Sequence, residues 1–115
     1  MNDRPHLDEE ALAELQDVMD DEFDVLIHTY LNDSAERIAA LRSALAAGDA
    51  DALGKTAHSF KGSCINIGAP RLGALCLEVE EAARTSGLAE LDPVLTRIES
   101  EFEHVRRMLQ GFLVS

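Results

Sequence analysis

Apolar residues recur at alternating spacings of four and three through four long segments of this 115-residue chain, and that rhythm leaves little choice of fold. Such spacings put side chains on one face of a helix of 3.6 residues per turn, whereas a strand needs alternation by twos. Phe23, Ile27, Tyr30, Ser34, Ile38, Leu41 and Leu45 make the first stripe, and Leu53, Ala57, Phe60, Cys64 and Ile67 the second. Leu72, Leu75, Cys76, Val79 and Ala83 make the third, and Leu95, Ile98, Phe102, Val105, Leu109 and Phe112 the fourth. Between them the chain is punctuated. Gly48-Asp49 and Gly68 stand where helices end on glycine, Pro70 stands in a first turn where its missing N–H costs nothing, and Ser86-Gly87 and Asp92-Pro93 frame the last break. The pattern predicts helices over about 22–47, 50–67, 70–86 and 92–113, packed as an all-α, antiparallel up-down four-helix bundle. A short helix from Leu7 to about Met19, with Asp8, Glu9 and Glu10 at its positive end, is expected to cap one end of the bundle. Residues 1–6 are expected to be a frayed lead-in.

A chain of this length makes one domain, here residues 1–115. The formal net charge of −12 argues against nucleic acid or an anionic membrane as partner. The ten acids up to Asp24, against Arg4 alone, read as a solvated, solubilising face. No run of 18 apolar residues and no signal peptide is visible, so a cytoplasmic protein is expected. Cys64 and Cys76 lie on apolar stripes and read as small buried hydrophobes, without the disulfide that a reducing compartment disfavours. No His or Glu pair shows ligand spacing toward a core, so no metal site is expected. Nothing resembles a phosphate-cradling glycine loop, and a kinase domain has no room.

The candidate chemistry sits on the second stripe's helix. His58 falls about 140° from the centre of that stripe, facing water, and Gly62 lies one turn further along the same outer face. A glycine inside a helix costs about 1 kcal/mol relative to alanine, so an interior one asks for a reason. Clearance supplies it: without a side chain at Gly62, another molecule can approach the imidazole. Lys61 flanks the same face and can swing a cation toward whatever the imidazole carries. From Asp51 to Arg71 the cations Lys55, Lys61 and Arg71 stand against Asp51 alone, a local net of +2 in an acidic chain. Ile65, two turns from His58 and about 120° from the stripe, is expected to be an exposed apolar contact.

His58-Ser59-Phe60-Lys61-Gly62-Ser63-Cys64, followed by Asn66-Ile67-Gly68, resembles the signature of histidine-containing phosphotransfer (HPt) domains, the helical-bundle intermediates of bacterial multi-step phosphorelays. The likeness covers nearly the whole chain and is nearest to free-standing members. It implies a phosphoryl carrier without kinase activity of its own, accepting a phosphoryl group from a receiver-domain aspartate on His58 and passing it to another receiver. Neutral imidazole is a competent nucleophile near pH 7 once its tautomer is set. In the family a group on the next helix sets it; the matching position is Glu80, where many relatives carry Gln. Lys61 would stabilise the phosphoryl oxygens and Gly62 give clearance. Lys55, Ser59, Ile65 and Arg71 would form the docking face for receiver domains of hybrid sensor kinases and of response regulators, whose acidic pocket complements a basic patch. The resemblance implies no cofactor of the chain's own, Mg²⁺ being supplied by the receiver, and a monomer. The alternative is an adaptor that binds receivers or kinases without transfer. A cofactor-binding bundle would need polar ligands on the inner stripes, which are apolar apart from Ser34. His6, His28 and His104 have no such setting and read as solvated side chains.

Overall fold

The computed structural model describes residues 4–85 and 87–113. Its elements in chain order are α1 (Glu9–Met19), α2 (Asp21–Ala47), α3 (Ala50–Ile67), α4 (Pro70–Arg84), a 3-10 turn over Leu88–Glu90, and α5 (Leu91–Leu113). Four long helices run up, down, up and down around one core, as the stripes predict. α3 packs most extensively against α4, then against α2.

Local chemistry accounts for the breaks. Asp8 caps α1 by accepting from the Ala11 N–H, and Asp49 caps α3 by accepting from the Ala52 N–H. Gly48 and Gly68 end α2 and α3 in the left-handed region, at φ +68° and +88°, where a Cβ would clash with the backbone. Between α1 and α2 the linking residue is Asp20, at φ +52° and ψ −119°, outside the left-handed helical region and in a conformation that residues with a Cβ rarely adopt. α4 stops at Arg84, two residues before the expected end, and Thr85 caps it, its hydroxyl donating to the Glu81 carbonyl. The predicted end at Ser86 lies outside the described residues. The 3-10 turn that follows is too short for any periodicity to reveal.

The core is the four stripes. Phe23, Ile27, Leu41, Leu53, Phe60, Leu72, Val79, Ile98, Val105 and Leu109 are fully buried. Burial of apolar surface on this scale is the main source of a bundle's stability. Cys64 and Cys76 are both free thiols inside it, and the Tyr30 hydroxyl lies 3.3 Å from the Cys64 sulfur. Burial pushes the Tyr30 hydroxyl well above its ordinary range, so it stays neutral behind α3. Away from the core, Arg42 of α2 ties down α5 through Glu99 at 2.8 Å, Thr96 at 3.0 Å and Asp92.

One end of the bundle collects the start of α2, the end of α3, the start of α4 and the end of α5, and α1 closes that end. Leu12 is buried there, and Gln16 donates to the Phe112 carbonyl at 3.2 Å. The expected frayed lead-in is corrected over the residues described. The Arg4 carbonyl accepts from Arg71 Nε at 2.9 Å and His6 Nδ1 lies 2.5 Å from Glu101 Oε2. Leu7 and Asp8, expected to open the short helix, precede it: Leu7 is buried and the Asp8 N–H donates to the Gly68 carbonyl at 2.8 Å. The His6 ring also stacks on His104 with centroids 4.7 Å apart, so neither is a merely solvated side chain. The physical reason is a buried carboxylate: Glu101 is 6% exposed, and a carboxylate inside a bundle requires a hydrogen-bonding partner. Phe102, on the expected fourth stripe, is half-buried, whereas position 101, three residues after Ile98 and four before Val105, faces inward by the same spacing; its charge hides it from a reading of apolar residues alone.

Candidate phosphotransfer site

α3 buries Ala57, Phe60 and Cys64, and this turns His58 outward. Its side chain is 69% exposed, in the middle of a helix whose apolar face is fully covered. α4 runs antiparallel alongside and brings Glu80 to it across the helix pair. Glu80 Oε2 lies 2.8 Å from His58 Nδ1, and Glu80 Oε1 accepts from the Lys61 ammonium at 2.7 Å. One carboxylate, itself 18% exposed, therefore holds both the imidazole and the cation.

The Lys61 ammonium, first, and then the His58 ring hold the Glu80 carboxyl below the usual carboxylate range. An ionised carboxylate only accepts hydrogen bonds, so the proton in the 2.8 Å contact resides on Nδ1. In the neutral ring this leaves the lone pair on Nε2, on the side away from Glu80. The arrangement suits a nucleophile whose tautomer is set by its neighbour and whose developing positive charge a carboxylate balances.

Gly62 is helical, and a Cβ built there would meet nothing within 4 Å. The fold itself therefore does not require a glycine at this position. Gly54, one turn before His58, faces α4, where an added Cβ would come 3.5 Å from Ala83 Cβ. It floors a cleft of about 420 Å³ between α3 and α4, with His58 and Glu80 at one edge and Lys55 and Arg84 on its rim. On the other side of His58, Ser59, Thr56 and Lys55 line a groove against α2 that also contains Arg37. The guanidinium of Arg37 donates to the Ser63 hydroxyl at 3.2 Å.

The residues singled out from sequence are thus distributed unevenly. His58, Lys61, Gly62 and Glu80 come together, and Lys55, Ser59 and Ile65 surround them on α3. Arg71 does not join them. It sits at the capped end, its Nε donating to the Arg4 carbonyl at 2.9 Å, and it lines a cavity with His6, Glu101 and His104. The expected surplus of cations around His58 is corrected. Lys55 is ion-paired with Asp51 at 3.1 Å and Lys61 with Glu80, and Arg37 of α2 and Arg84 of α4, which a reading of α3 alone could not reach, line grooves that also hold Asp33 and Glu36 on one side and Asp51 and Glu80 on the other.

Among the described residues, no group of His, Cys, Asp or Glu side chains is arranged to hold a metal ion, and no helix is long and apolar enough to cross a membrane.

Comparison with known proteins agrees with this geometry. The family model described as "Hpt domain" matches residues 25–109. The crystal structure of histidine-containing phosphotransfer protein B (HptB) from Pseudomonas aeruginosa PAO1 is 48% identical, covers 93% of each chain and superposes with a TM-score of 0.89. That of the maize histidine-containing phosphotransfer protein ZmHP2 is 21% identical, covers 94% of this chain and 89% of its own, and shares the fold with a TM-score of 0.83. No curated protein matches the chain. With a family match over most of its length and a near-complete structural counterpart, the chain belongs to the family of histidine-containing phosphotransfer (Hpt) domains.

Proposed function

We propose that this Hpt protein serves its phosphorelay through His58, which takes a phosphoryl group from the aspartyl phosphate of one receiver domain and yields it to the aspartate of another. The observation that carries this reading is the His58–Glu80 contact of 2.8 Å at Nδ1, with the rest of an exposed imidazole facing outward. Nε2 attacks in line; the N–P bond forms as the aspartyl O–P bond breaks, and the receiver's carboxylate is regenerated. The proton stays on Nδ1 throughout, and Glu80 balances the imidazolium that carries the phosphoryl group. The return step reverses the same bonds toward a second aspartate. The transition state is loose, so positioning and charge suffice. Lys61, held by Glu80 at 2.7 Å, is close enough in sequence and space to share its ammonium with the phosphoryl oxygens. Mg²⁺ would be supplied by the receiver, and the protein acts as a phosphoryl carrier, as befits a member of the Hpt family.

The test is transfer from a labelled, phosphorylated receiver domain in the presence of Mg²⁺, run beside His58→Gln. Acid-labile, base-stable label on wild type and none on the variant is the expected result. Receiver binding without label on any residue would make the chain an adaptor instead.

A further inference from the structure

The cavity that Arg71 lines with His6, Glu101 and His104 lies apart from the phosphotransfer site. It holds about 250 Å³ between α4 and α5, whereas His58 and Glu80 meet across α3 and α4. A drug-sized ligand needs about 300–1,000 Å³, so this volume suits a small ion with a few waters, each taking about 30 Å³. Its walls carry donors with capacity to spare. Arg71, half-buried, uses only Nε, on the Arg4 carbonyl, and no carboxylate among the described residues is paired with it. Arg97, more exposed, is bonded through one amino group to Glu78 at 3.2 Å. The Ser100 hydroxyl and the ring nitrogens of His104 also line the cavity and have no hydrogen-bonding partner among the described residues. Two guanidinium groups, an imidazole and a hydroxyl on one cavity suit an anion, even in a chain of net charge −12.

Glu101 narrows the class of anion. It is buried in the wall of the cavity, and burying a carboxylate is costly for a bundle that four apolar stripes already hold together. His6 Nδ1 meets Oε2 at 2.5 Å, and Oε1 has no partner among the described residues. A carboxylate only accepts hydrogen bonds, so it repels a neighbouring anion unless that anion brings an O–H of its own. Inorganic phosphate keeps such an O–H at neutral pH. Sulfate has none, and a phosphomonoester has largely lost its last proton at pH 7, its second pKa being about 6.

We propose that this cavity binds inorganic phosphate. Arg71 and Arg97 take its charged oxygens, Ser100 and His104 bond beside them, and Glu101 Oε1 accepts from the phosphate O–H. His6 holds the carboxylate in place from its other oxygen. No residue of the phosphotransfer site takes part, so the binding is independent of His58 and of the relay reaction.

The experiment is a titration of the isotope-labelled full chain with inorganic phosphate at neutral pH, followed by NMR, with ionic strength held constant by chloride. Sulfate is titrated in parallel. Saturable shifts at Arg71, Ser100, Glu101 and His104 are expected, with phosphate bound about tenfold or more tighter than sulfate, because sulfate leaves the Glu101 acceptor unmatched. Arg71→Gln should weaken phosphate by about fivefold or more. Glu101→Gln, whose amide repels no oxyanion, should bring phosphate and sulfate to within about twofold of each other. Helical circular dichroism is recorded for each variant; should Glu101→Gln not fold, the phosphate-to-sulfate ratio of wild type and the Arg71→Gln result decide. Equal affinities of wild type for the two anions would overturn the proposal. So would a phosphate affinity that Arg71→Gln leaves within about twofold of wild type, or shifts centred on Lys55, His58 and Lys61 while the cavity's resonances stay unmoved.

Discussion

Gly62 offers a sharp test because stability and function should move in opposite directions there. A Cβ at this position meets nothing within 4 Å, and the residue is helical without positive φ, so Gly62→Ala introduces neither clash nor strain. Replacing a helical glycine with alanine under those conditions stabilises by about 0.4–1 kcal/mol, chiefly by removing conformations from the unfolded chain. At about 2.1 cal/mol/K of unfolding entropy per residue, the 115 residues give about 0.24 kcal/mol/K. The thermal midpoint should therefore rise by about 2–4 °C. Gly62→Gln keeps most of the helix-propensity gain but puts a long side chain one turn from the imidazole, where it must be pushed aside whenever a receiver closes on Nε2. A displacement of about 1 Å in such a geometry can cost up to about a hundredfold in rate, so a loss of about tenfold or more is expected. Differential scanning calorimetry supplies the first number, and quenched-flow transfer from a labelled receiver the second. The reasoning fails if Gly62→Ala melts below wild type, for then the fold needs the glycine. It fails equally if Gly62→Gln transfers at the wild-type rate, for then the clearance serves nothing.

Three other perturbations discriminate as well. His58→Gln should abolish acid-labile label yet unfold within about 0.5 kcal/mol of wild type in urea, because the ring is mostly solvated; a loss of several kcal/mol would make it a core residue. Glu80 has a depressed folded pKa, so its contribution to stability is complete above its ordinary value of 4.5 and vanishes as pH falls through the lower folded value. The stability gap between wild type and Glu80→Gln should accordingly be constant from pH 7 to about 5 and close below it, and a gap still unchanged at pH 3 would contradict the Lys61–Glu80–His58 linkage. His6→Ala strands the buried Glu101 carboxylate and should destabilise by about 1–3 kcal/mol, with His6→Ala/Glu101→Leu recovering part of the loss. Equal melting of the single variant and wild type would show that residues 4–8 are not anchored there.

Most of the bundle is legible in the amino-acid sequence alone, and for a physical reason. Helices of eighteen or more residues repeat their apolar stripe often enough that Phe23 to Leu45 or Leu95 to Leu109 cannot be read otherwise. The turns are legible too, since Gly48, Gly68 and Pro70 stand where local backbone geometry demands those residue types. His58, Lys61 and Gly62 share a helix, so their common face follows from 100° per residue alone. The signals that fail are short or long-range. Position 101 fits the buried spacing between Ile98 and Val105, but its charge argues against burial, and the partner that makes burial tolerable, His6, lies ninety-five residues away in sequence.

What the sequence determined by itself is therefore what is local: four amphipathic helices, their ends, and an outward histidine with a lysine and a gap beside it. The tertiary structure decided which side chains from other helices meet that histidine. It brought Glu80 to Nδ1 and to Lys61, set Arg37 and Arg84 beside the site, and drew Arg71 away to the Arg4 carbonyl. Helical periodicity says which way a side chain points, but the partner it meets depends on how neighbouring helices are placed, and that is set by the packing of the whole core.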